Sequence, residues 1–315
     1  MSKNKSKLPV LMMVFNRPDL TRKVFNEVKK YKPKKLFVSC DGPREKKKNE
    51  IELCDEVHEV FDNINWKCKV YKNFSKKNLG CKKKVFLSLK WFFSHIDKGI
   101  ILEDDCLPNK SFFSYCETML NKYEKDPNIL LISGNNFQKN NLRGDGDYYF
   151  SKYPHIWGWA AWKRSFKYYD INIKNWPKWK NSKKYNEISN HMYFKEKKYW
   201  NSIFQNTYKN KIDTWDYQLM LCGWMNSQFA ITPNVNLVSH IGMGPRATHS
   251  FYPNIKKGLV TKEINKKIKH PKKKIINHIA DRYCWLRSPY QGIFLYFPFN
   301  LISSIWIFFR KSLNI

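Results

Sequence analysis

The sequence predicts an α/β protein in which helices flank a mixed, mostly parallel sheet. Short apolar runs rich in β-branched residues, each bounded by Pro, Gly or polar residues, indicate buried strands. Several of these runs are apolar without interruption, which is typical of strands covered on both faces. Longer amphipathic segments separate the runs, and such an alternation of strands and helices is characteristic of a parallel sheet.

The first half of the chain contains four predicted strands joined by three predicted helices. The strands are expected at 8–15, 35–39, 68–72 and 100–102, and the helices at 20–31, 49–61 and 85–95. The polar loops between these elements contain Arg17, Asp41 and Lys82. Ligands of open α/β sheets bind outside the carboxyl ends of the strands, so we expect these loops to line one binding edge.

Three consecutive carboxylates, Glu103, Asp104 and Asp105, follow the fourth strand. Like charges at the edge of a core repel one another and lose solvation, so something must offset them. Carboxylates in this position suit Mg²⁺ or Mn²⁺ held together with substrate phosphates. A second interpretation is an acidic turn at the start of the helix predicted near Asn109 to Phe112, because Asp and Glu are favoured there. The three carboxylates alone do not decide between the two interpretations.

The second half begins with a predicted strand at 129–133. The aromatic segment at 155–162 then surrounds Trp157 and Gly158. Its rings either belong to the core or offer faces that stack against a sugar or a base, and core packing is the commoner use of such a cluster. Residues 168–210 are polar and Lys-rich with scattered Trp, which predicts peripheral helices.

Two candidate site residues lie further along the chain. The segment at 214–219 opens a predicted helix, where Asp216 either caps the helix or serves as a general base on an acceptor hydroxyl. A predicted strand at 229–238 leads to a Gly-rich loop at 239–249, which lacks the Lys-Ser/Thr of a phosphate-binding P-loop. The last residue of that loop, His249, is a candidate metal ligand.

The chain carries a formal net charge of +32, from 58 basic and 26 acidic residues. Such an excess is compatible with anionic partners such as nucleic acid, a phosphate-bearing substrate or an acidic membrane face. The Lys residues are scattered in short runs, and neither an RNA-binding aromatic signature nor zinc-finger spacing accompanies them. A nucleic-acid partner is therefore not favoured.

The cysteines and the first residues predict a cytoplasmic protein. No two of the eight Cys residues have CxxC spacing, which excludes the usual zinc and redox motifs. Scattered Cys in a chain of 315 residues are typical of reduced, mostly buried side chains. The first seven residues are polar and basic and contain no apolar signal-peptide core.

Residues 289–315 are predicted to associate with the inner face of the cell membrane. The run at 293–309 is strongly apolar and aromatic, and Arg310 and Lys311 follow it. This run contains Pro298 and polar residues and is close to the lower length limit for a span, so an interfacial or hairpin anchor fits better. The alternative is a helix that packs on the domain or on a partner chain.

Six segments in this order resemble the nucleotide-sugar-dependent glycosyltransferases of the GT-A fold, which have a Rossmann-like sheet. More narrowly, the chain is similar to bacterial family-2-like transferases and to the N-acetylglucosaminyltransferase I-like group, over most of residues 8–250. The segments are VFNRPD (14–19), SCDGPR (39–44), ILEDDC (101–106), HIWGWAAW (155–162), TWDYQ (214–218) and ATH (247–249).

The resemblance implies a donor site for a nucleotide-diphosphate sugar, UDP-linked in the simplest case. Arg17 would contact the donor's phosphates or the edge of its nucleotide, Asp41 would hydrogen-bond the base, and Asp104 would lie near the sugar or the ribose. The full set of nucleotide-sugar-binding residues that we predict is Phe15, Asn16, Arg17, Asp41, Lys82, Asp104, Trp157 and Gly158.

The resemblance further implies a metal-dependent, inverting transfer. Asp105 would ligate Mn²⁺ or Mg²⁺ held by the diphosphate, and His249 would be a further ligand, which some relatives use. Asp216 lies where that group keeps its catalytic base, and it would take the acceptor proton during a single in-line displacement at the anomeric carbon. The acceptor is expected to be a glycan or glycolipid of surface polysaccharide assembly.

The resulting domain organisation has four parts. A basic tail at 1–7 precedes a GT-A catalytic domain at 8–255, whose nucleotide-sugar-binding half is 8–133 and whose acceptor-binding half is 134–255. A basic segment at 256–288 and the membrane-associating tail at 289–315 form a C-terminal extension.

Two other functions fit parts of the sequence. A sugar nucleotidyltransferase uses a similar sheet and acidic metal site, but it would carry a Gly-rich loop with Arg or Lys directly after the first strand, where this chain has FNRPD (15–19). A non-catalytic, basic nucleic-acid-binding protein would bind DNA or RNA in a salt-dependent manner and would be indifferent to mutation of the carboxylates.

Overall fold

A mixed β-sheet forms the centre of the protein. The computed structural model describes residues 7–47, 49–242 and 259–287. Within these ranges the strands are β1 (Val10–Val14), β2 (Lys35–Cys40), β3 (Lys69–Phe74), β4 (Lys98–Glu103), β5 (Cys106–Pro108), β6 (Ile129–Ser133), β7 (Tyr148–Ser151), β8 (Trp159–Trp162), β9 (Phe229–Pro233) and β10 (Val238–His240). Eight of them form the sheet, in the order β3-β2-β1-β4-β8-β6-β9-β7, and β5 pairs with β10 separately.

Most strands of the sheet run in the same direction. β1 pairs in parallel with β2 and with β4, and β2 pairs in parallel with β3. β8 is antiparallel to both of its neighbours and β7 is antiparallel to β9, whereas β6 and β9 are parallel. The predicted mixed, mostly parallel sheet is therefore confirmed. The carboxyl ends of β1, β2 and β4 lie side by side at one edge.

Helices flank the sheet. They are α1 (Pro18–Tyr31), α2 (Glu50–Glu59), α3 (Cys81–His95), α4 (Lys110–Lys122), α5 (Trp176–Trp179), α6 (Lys183–Ser189), α7 (Phe194–Tyr208), α8 (Asp216–Met225) and α9 (His278–Arg287), with a 3₁₀ turn at Lys163–Phe166. Across the part of the chain that is described, no helix combines the length and the apolar composition that a bilayer crossing needs.

Burial on both faces explains the uninterrupted apolar run of β1. Val10, Met12 and Val14 pack in the core that contains α1, α2 and α4, whereas Leu11 and Met13 pack in the core that contains α3 and α8. Each fully buried side chain of this size contributes roughly 1.5–3 kcal/mol through removal of apolar surface from water. The strand that leads to the candidate site is thus held firmly from both sides.

The predicted helical region at 168–210 is confirmed and has a core of its own. Trp176 and Phe204 pack with Trp224 of α8, and all three rings are buried. The scattered Trp residues of this Lys-rich segment therefore form the apolar side of α5 and α7. This layer packs against α8 through Met220, Leu221 and Trp224.

The prediction that residues 233–238 continue the strand before them is wrong. β9 ends at Pro233, whose ring nitrogen has no hydrogen to donate. The side-chain amide of Asn234 then donates to the carbonyls of Arg143 and Gly146, at 2.9 and 2.8 Å. These bonds turn the chain away from the sheet, and β10 pairs with β5 instead.

The interpretation of the three carboxylates as a helix-capping turn is also wrong. β5 separates them from α4, so they are not part of its first turn. Asn109 caps α4, because its side-chain oxygen accepts the N–H groups of Ser111 and Phe112 at 3.0 and 3.1 Å. The carboxylates therefore need another explanation.

The end of the described chain packs on the edge of the sheet. The N–H of Asn277 donates to the carbonyl of Phe150 in β7 at 2.8 Å, and Ala280 of α9 is buried. The predicted domain boundary between 255 and 256 lies outside the described residues. The predicted tail at 289–315 also lies outside them.

Candidate active site

Loops from three strands meet at the carboxyl edge of the sheet. Arg17 lies between β1 and α1, Asp41 directly follows β2, and Asp104 and Asp105 directly follow β4. The N–H of Asp104 donates to the carbonyl of Met13 in β1 at 3.1 Å, which joins two of the strand ends. The parallel order of the strands thus brings these residues together, as their positions in the sequence predict.

Arg17 binds both aspartates of the acidic loop. Its Nε donates to Asp104 Oδ2 at 3.2 Å, and its Nη2 donates to Asp104 Oδ1. The same Nη2 lies 2.9 Å from Asp105 Oδ2. A largely buried guanidinium that forms a fork with a carboxylate orients both groups strongly. A donor phosphate would have to share Arg17 with these carboxylates.

The acidic loop keeps excess negative charge despite this ion pair. Burial raises the pKa of Glu103 to about 8, and the charges of Asp105 and Asp104 add to the effect. Burial also raises the pKa of Asp104 to about 6, although Arg17 opposes it. Burial lowers the pKa of Arg17, but Asp104 and Asp105 outweigh burial and the pKa is raised. One guanidinium faces the two carboxylates of Asp104 and Asp105, so a further cation would bind here favourably.

His240 is a site residue that we do not predict from the sequence, because His249 is the candidate ligand in the Gly-rich loop at 239–249. The pairing of β10 with β5 places it opposite Cys106, and its Nε2 lies 3.4 Å from Asp105 Oδ2. Its ring is buried and faces Trp157, with the ring centroids 4.7 Å apart. Nδ1 has no hydrogen-bond partner among the described residues. Burial lowers the pKa of His240, although Asp105 opposes it, so the imidazole is neutral at pH 7 and able to ligate a metal.

Gly242 lies directly against the Asp105 carboxylate. A β-carbon at this residue would lie 2.3 Å from Asp105 Oδ2 and 2.8 Å from Arg17 Nη1. The N–H of Ile241 donates to the carbonyl of Asp105 at 2.8 Å, which fixes the backbone there. Only glycine fits this approach, and the chain that leaves β10 closes one side of the site.

The residues present fit a divalent cation. Asp105 offers a carboxylate and His240 a neutral imidazole, a pair of ligands that suits Mn²⁺, and the carboxylate also suits Mg²⁺. Within the described ranges, no group of three or more His, Cys, Asp or Glu side chains is arranged to hold an ion. A metal at Asp105 would therefore take its remaining ligands from phosphate oxygens and water, as Mg²⁺ commonly does.

Asp41 holds the loop in front of α3. Its carboxylate accepts the N–H groups of Gly42 at 2.9 Å, Leu79 at 2.9 Å and Gly80 at 3.0 Å. Burial raises the pKa of Asp41, and these donors oppose the increase. The predicted hydrogen bond from Asp41 to a base stays a prediction, and the base would compete with backbone donors for the carboxylate.

Asp216 is the first residue of α8 and lies near the same edge. The hydroxyl of Thr214 donates to Asp216 Oδ1. After burial and the two aspartates of the acidic loop, Asp216 is a further cause of the raised pKa of Glu103. The carboxylate that we predict as the base is therefore within electrostatic reach of the end of β4.

Asp213 is a second carboxylate that the sequence does not single out. A β-carbon on Gly80 would lie 3.8 Å from Asp213 Oδ2, so this side chain reaches the loop held by Asp41. Burial raises the pKa of the Cys81 thiol, and the charges of Glu103 and Asp213 add to the effect. The acidic character of the site thus extends from the acidic loop to the start of α3.

Phe15 and Asn16 belong to a network that supports the loop after β1. The Arg44 guanidinium lies 5.5 Å from the Phe15 ring centroid. The Asn16 amide donates to Glu50 Oε1 at 2.8 Å, and Arg44 Nε donates to Glu50 Oε2 at 2.9 Å. These bonds direct Asn16 towards α2, so its predicted contact with a donor would require a different orientation.

Trp157 and Gly158 join β10 to the sheet. The half-buried ring of Trp157 lies between His240 and Phe137, with a centroid distance of 5.0 Å to Phe137. Gly158 has a φ of +64°, and a β-carbon there would lie 2.8 Å from a Val238 methyl. Trp157 therefore flanks the metal candidates, while Gly158 is needed for the turn and for close packing.

Of the remaining predicted residues, only Lys82 belongs to the described part of the chain. Lys82 Nζ donates to Asn210 Oδ1 at 2.8 Å, which directs it towards the end of α7. His249 lies outside the described residues, so its role as a metal ligand stays a prediction.

Comparisons with known proteins find only remote structural similarity. No protein-family model matches the chain, and no curated protein matches it. Among solved structures, HddC from Yersinia pseudotuberculosis is 11% identical with a TM-score of 0.31, over 50% of this chain and 77% of HddC. A UDP-glucose pyrophosphorylase in complex with UDP-glucose is 8% identical with a TM-score of 0.36, over 72% of this chain and 90% of that protein. At these values the similarity carries no argument about function.

Proposed function

We propose that the protein is a metal-dependent inverting glycosyltransferase. It would move a sugar from a nucleotide-diphosphate sugar, UDP-linked in the simplest case, to a hydroxyl of a glycan or glycolipid in surface polysaccharide assembly. The observation that carries the proposal is the meeting of Arg17, Asp104, Asp105 and His240 at the carboxyl edge of parallel strands. This corner combines a phosphate-binding cation with ligands for a divalent metal.

The donor would bind with its diphosphate at this corner. Asp105 and His240 would hold Mn²⁺ or Mg²⁺, which would stabilise the negative charge of the departing diphosphate. Arg17 lies next to Asp105 and would donate to a phosphate oxygen while it keeps its bonds to Asp104. Gly242 would leave room for this arrangement, because no side chain projects from it towards Asp105.

Asp216 would act as the general base. Its carboxylate lies at the start of α8, near the acidic loop but on a different element. It would accept the proton of the acceptor hydroxyl as the hydroxyl oxygen bonds to the anomeric carbon and the bond from that carbon to the diphosphate oxygen breaks. The product would be an inverted glycoside and a nucleoside diphosphate.

The turn between β1 and α1 favours this function over a sugar nucleotidyltransferase. Phe15, Asn16 and Arg17 connect the two elements without a glycine, and α1 begins directly at Pro18. The Gly-rich loop with which a nucleotidyltransferase would wrap a nucleoside triphosphate is therefore missing between β1 and α1.

A thermal-shift experiment tests the donor site. A panel of nucleotide-sugars is added with and without Mn²⁺, and a true donor at 100 times its Kd should stabilise the fold by about 2.7 kcal/mol. Asp105→Asn should lose the Mn²⁺-dependent part, whereas Asp55→Asn, an exposed aspartate of α2, should keep it. Stabilisation of Asp105→Asn equal to that of the unaltered protein would contradict the proposal. Formation of a nucleoside triphosphate from the donor and pyrophosphate would indicate a nucleotidyltransferase instead.

We also propose a cytoplasmic protein bound to the inner face of the cell membrane through residues 289–315. The support for this proposal is the apolar, aromatic and terminally basic sequence of that segment. Deletion of the segment should move the protein from the membrane fraction to the soluble fraction of cells. An unchanged membrane fraction would contradict the anchor.

A further inference from the structure

α9 and the start of α7 together present exposed apolar side chains. Phe194, Ile279 and Leu286 are 82%, 69% and 53% exposed. Ile279, Arg282 and Leu286 are spaced by three and four residues, so they share one face of α9. The Arg282 guanidinium lies 4.8 Å from the ring centroid of Tyr193, which joins the start of α7 to this face. We call these five residues the α7–α9 surface.

The acidic residues of the two helices point inward. Glu196 is the one acidic residue in α7 and Asp281 the one in α9, and both are buried. Glu196 accepts from Lys152 Nζ at 2.8 Å, and the Ser151 hydroxyl donates to Asp281 Oδ1 at 2.5 Å. The outer faces of α7 and α9 therefore carry no negative side chain. The charged side chains that face water on these two helices are therefore cationic.

Cationic side chains border the exposed apolar residues. Lys195 and Lys198 of α7 are exposed, and Arg282 lies between the two aliphatic side chains of α9. Apolar side chains that enter the headgroup level, with cations beside them and no acidic residue, complement an anionic lipid surface. A nucleic acid would be attracted by the cations but would leave Ile279 and Leu286 exposed to water.

We propose that the α7–α9 surface docks on an anionic lipid bilayer. The proposal does not depend on the sugar-transfer chemistry. It also differs from the anchor proposed for 289–315, because its residues belong to the described fold. A single weak signal gives only marginal membrane binding and two give stable binding, so this surface acting together with the proposed anchor would raise affinity strongly.

Sedimentation of the full chain with vesicles tests the proposal. Vesicles of phosphatidylcholine alone are compared with vesicles that also contain phosphatidylglycerol. The double variant Ile279→Ser/Leu286→Ser should bind the anionic vesicles about tenfold more weakly, because two apolar side chains no longer enter the interface. Ile51→Ser/Leu87→Ser removes two exposed aliphatic side chains from α2 and α3 and should bind as the unaltered chain does. Equal melting temperatures of the variants establish that the fold is retained.

Each other outcome would overturn the proposal. Unchanged binding of the α9 double variant would mean that the surface does not touch lipid. Tighter binding of that variant would mean that residues 288–315 normally cover the surface. Equal binding of the unaltered chain to both kinds of vesicle would mean that the surface does not select anionic lipid. A preference for RNA over vesicles would mean that its cations bind nucleic acid instead.

Discussion

Replacement of Gly242 by alanine should disable the candidate metal site and leave the fold intact. The new methyl would lie 2.3 Å from Asp105 Oδ2, 2.6 Å from the Asp105 β-carbon and 2.8 Å from Arg17 Nη1. Non-bonded heavy atoms pack best at roughly 3.5 Å or more. The Asp105 carboxylate would therefore have to move by about 1 Å. Arg17 would have to move with it, because the two side chains form an ion pair.

A shift of this size is large for a catalytic site but moderate for the fold. Misplacement of reacting groups by about 1 Å costs roughly 100-fold in rate. Overpacking a well-packed core costs about 1–3 kcal/mol, and the atoms that must give way are in the side chains of Asp105 and Arg17, so we expect the lower end of that range. Activity should thus fall far more than stability.

Donor turnover with Mn²⁺, and Mn²⁺ binding by calorimetry, measure the effect in Gly242→Ala. We expect kcat/KM to fall about 100-fold and Mn²⁺ affinity to weaken in parallel. Gly144→Asn is the matched control, since no atom lies within 4 Å of a β-carbon there and Asn tolerates its φ of +72°. If Gly242→Ala kept native turnover and Mn²⁺ affinity, the placement of Gly242 against Asp105 would be refuted.

Three further predictions concern a base, an ion pair and a titration. Asp216→Asn should keep donor binding, but its rate of sugar transfer should fall about 100-fold or more. Transfer at the native rate would exclude Asp216 as the base. Glu196→Gln should cost about 3 kcal/mol in urea unfolding, because Lys152 Nζ would stay buried without its charged partner. Glu27→Gln, in an exposed pair, should cost less than about 0.5 kcal/mol, and equal losses would contradict this account. Burial raises the pKa of Asp281 to about 6 against the opposing effects of Ser151 and Lys152, so its stabilising contribution is complete below about pH 4 and is lost as the pH rises through 6. Between about pH 4 and pH 7 the free energy of unfolding of the unaltered protein should therefore fall by about 3 kcal/mol relative to that of Asp281→Asn. If the unfolding free energies of the two proteins varied in parallel with pH, Asp281 would not titrate in this way.

The first half of the sheet could be predicted because its signals are local. β1, β2 and β4 are short apolar runs followed by polar loops, and each pattern is visible within about ten residues. Parallel order then places Arg17 next to Asp104 and Asp105 without knowledge of any side-chain contact. These residues do meet, and the interpretation as a helix cap fails for an equally local reason, since Asn109 already caps α4.

His240 could not be predicted because it depends on a pairing between two very short strands. β5 and β10 have three residues each, and neither has a pattern that marks it as a strand. Their register sets His240 beside Asp105, and nothing in the sequence near either residue encodes that register. The orientation of the Lys82 side chain could not be predicted for the same reason, because it depends on a hydrogen bond to Asn210, which follows the end of α7.

The hydrogen-bond donors around each carboxylate distinguish the candidate site from the other buried acidic residues. Glu196 is matched by Lys152, and Asp281 accepts from the Ser151 hydroxyl and the Lys152 N–H. Each of these carboxylates has protein donors that offset its burial, and such clusters stabilise or orient the fold. At the end of β4 a single guanidinium faces the carboxylates of Asp104 and Asp105, and a neutral imidazole adds no charge. Both clusters are buried, but the contacts of Asp105 are with Arg17, His240 and the Cys106 thiol, so Mn²⁺ should stabilise the protein through this second cluster.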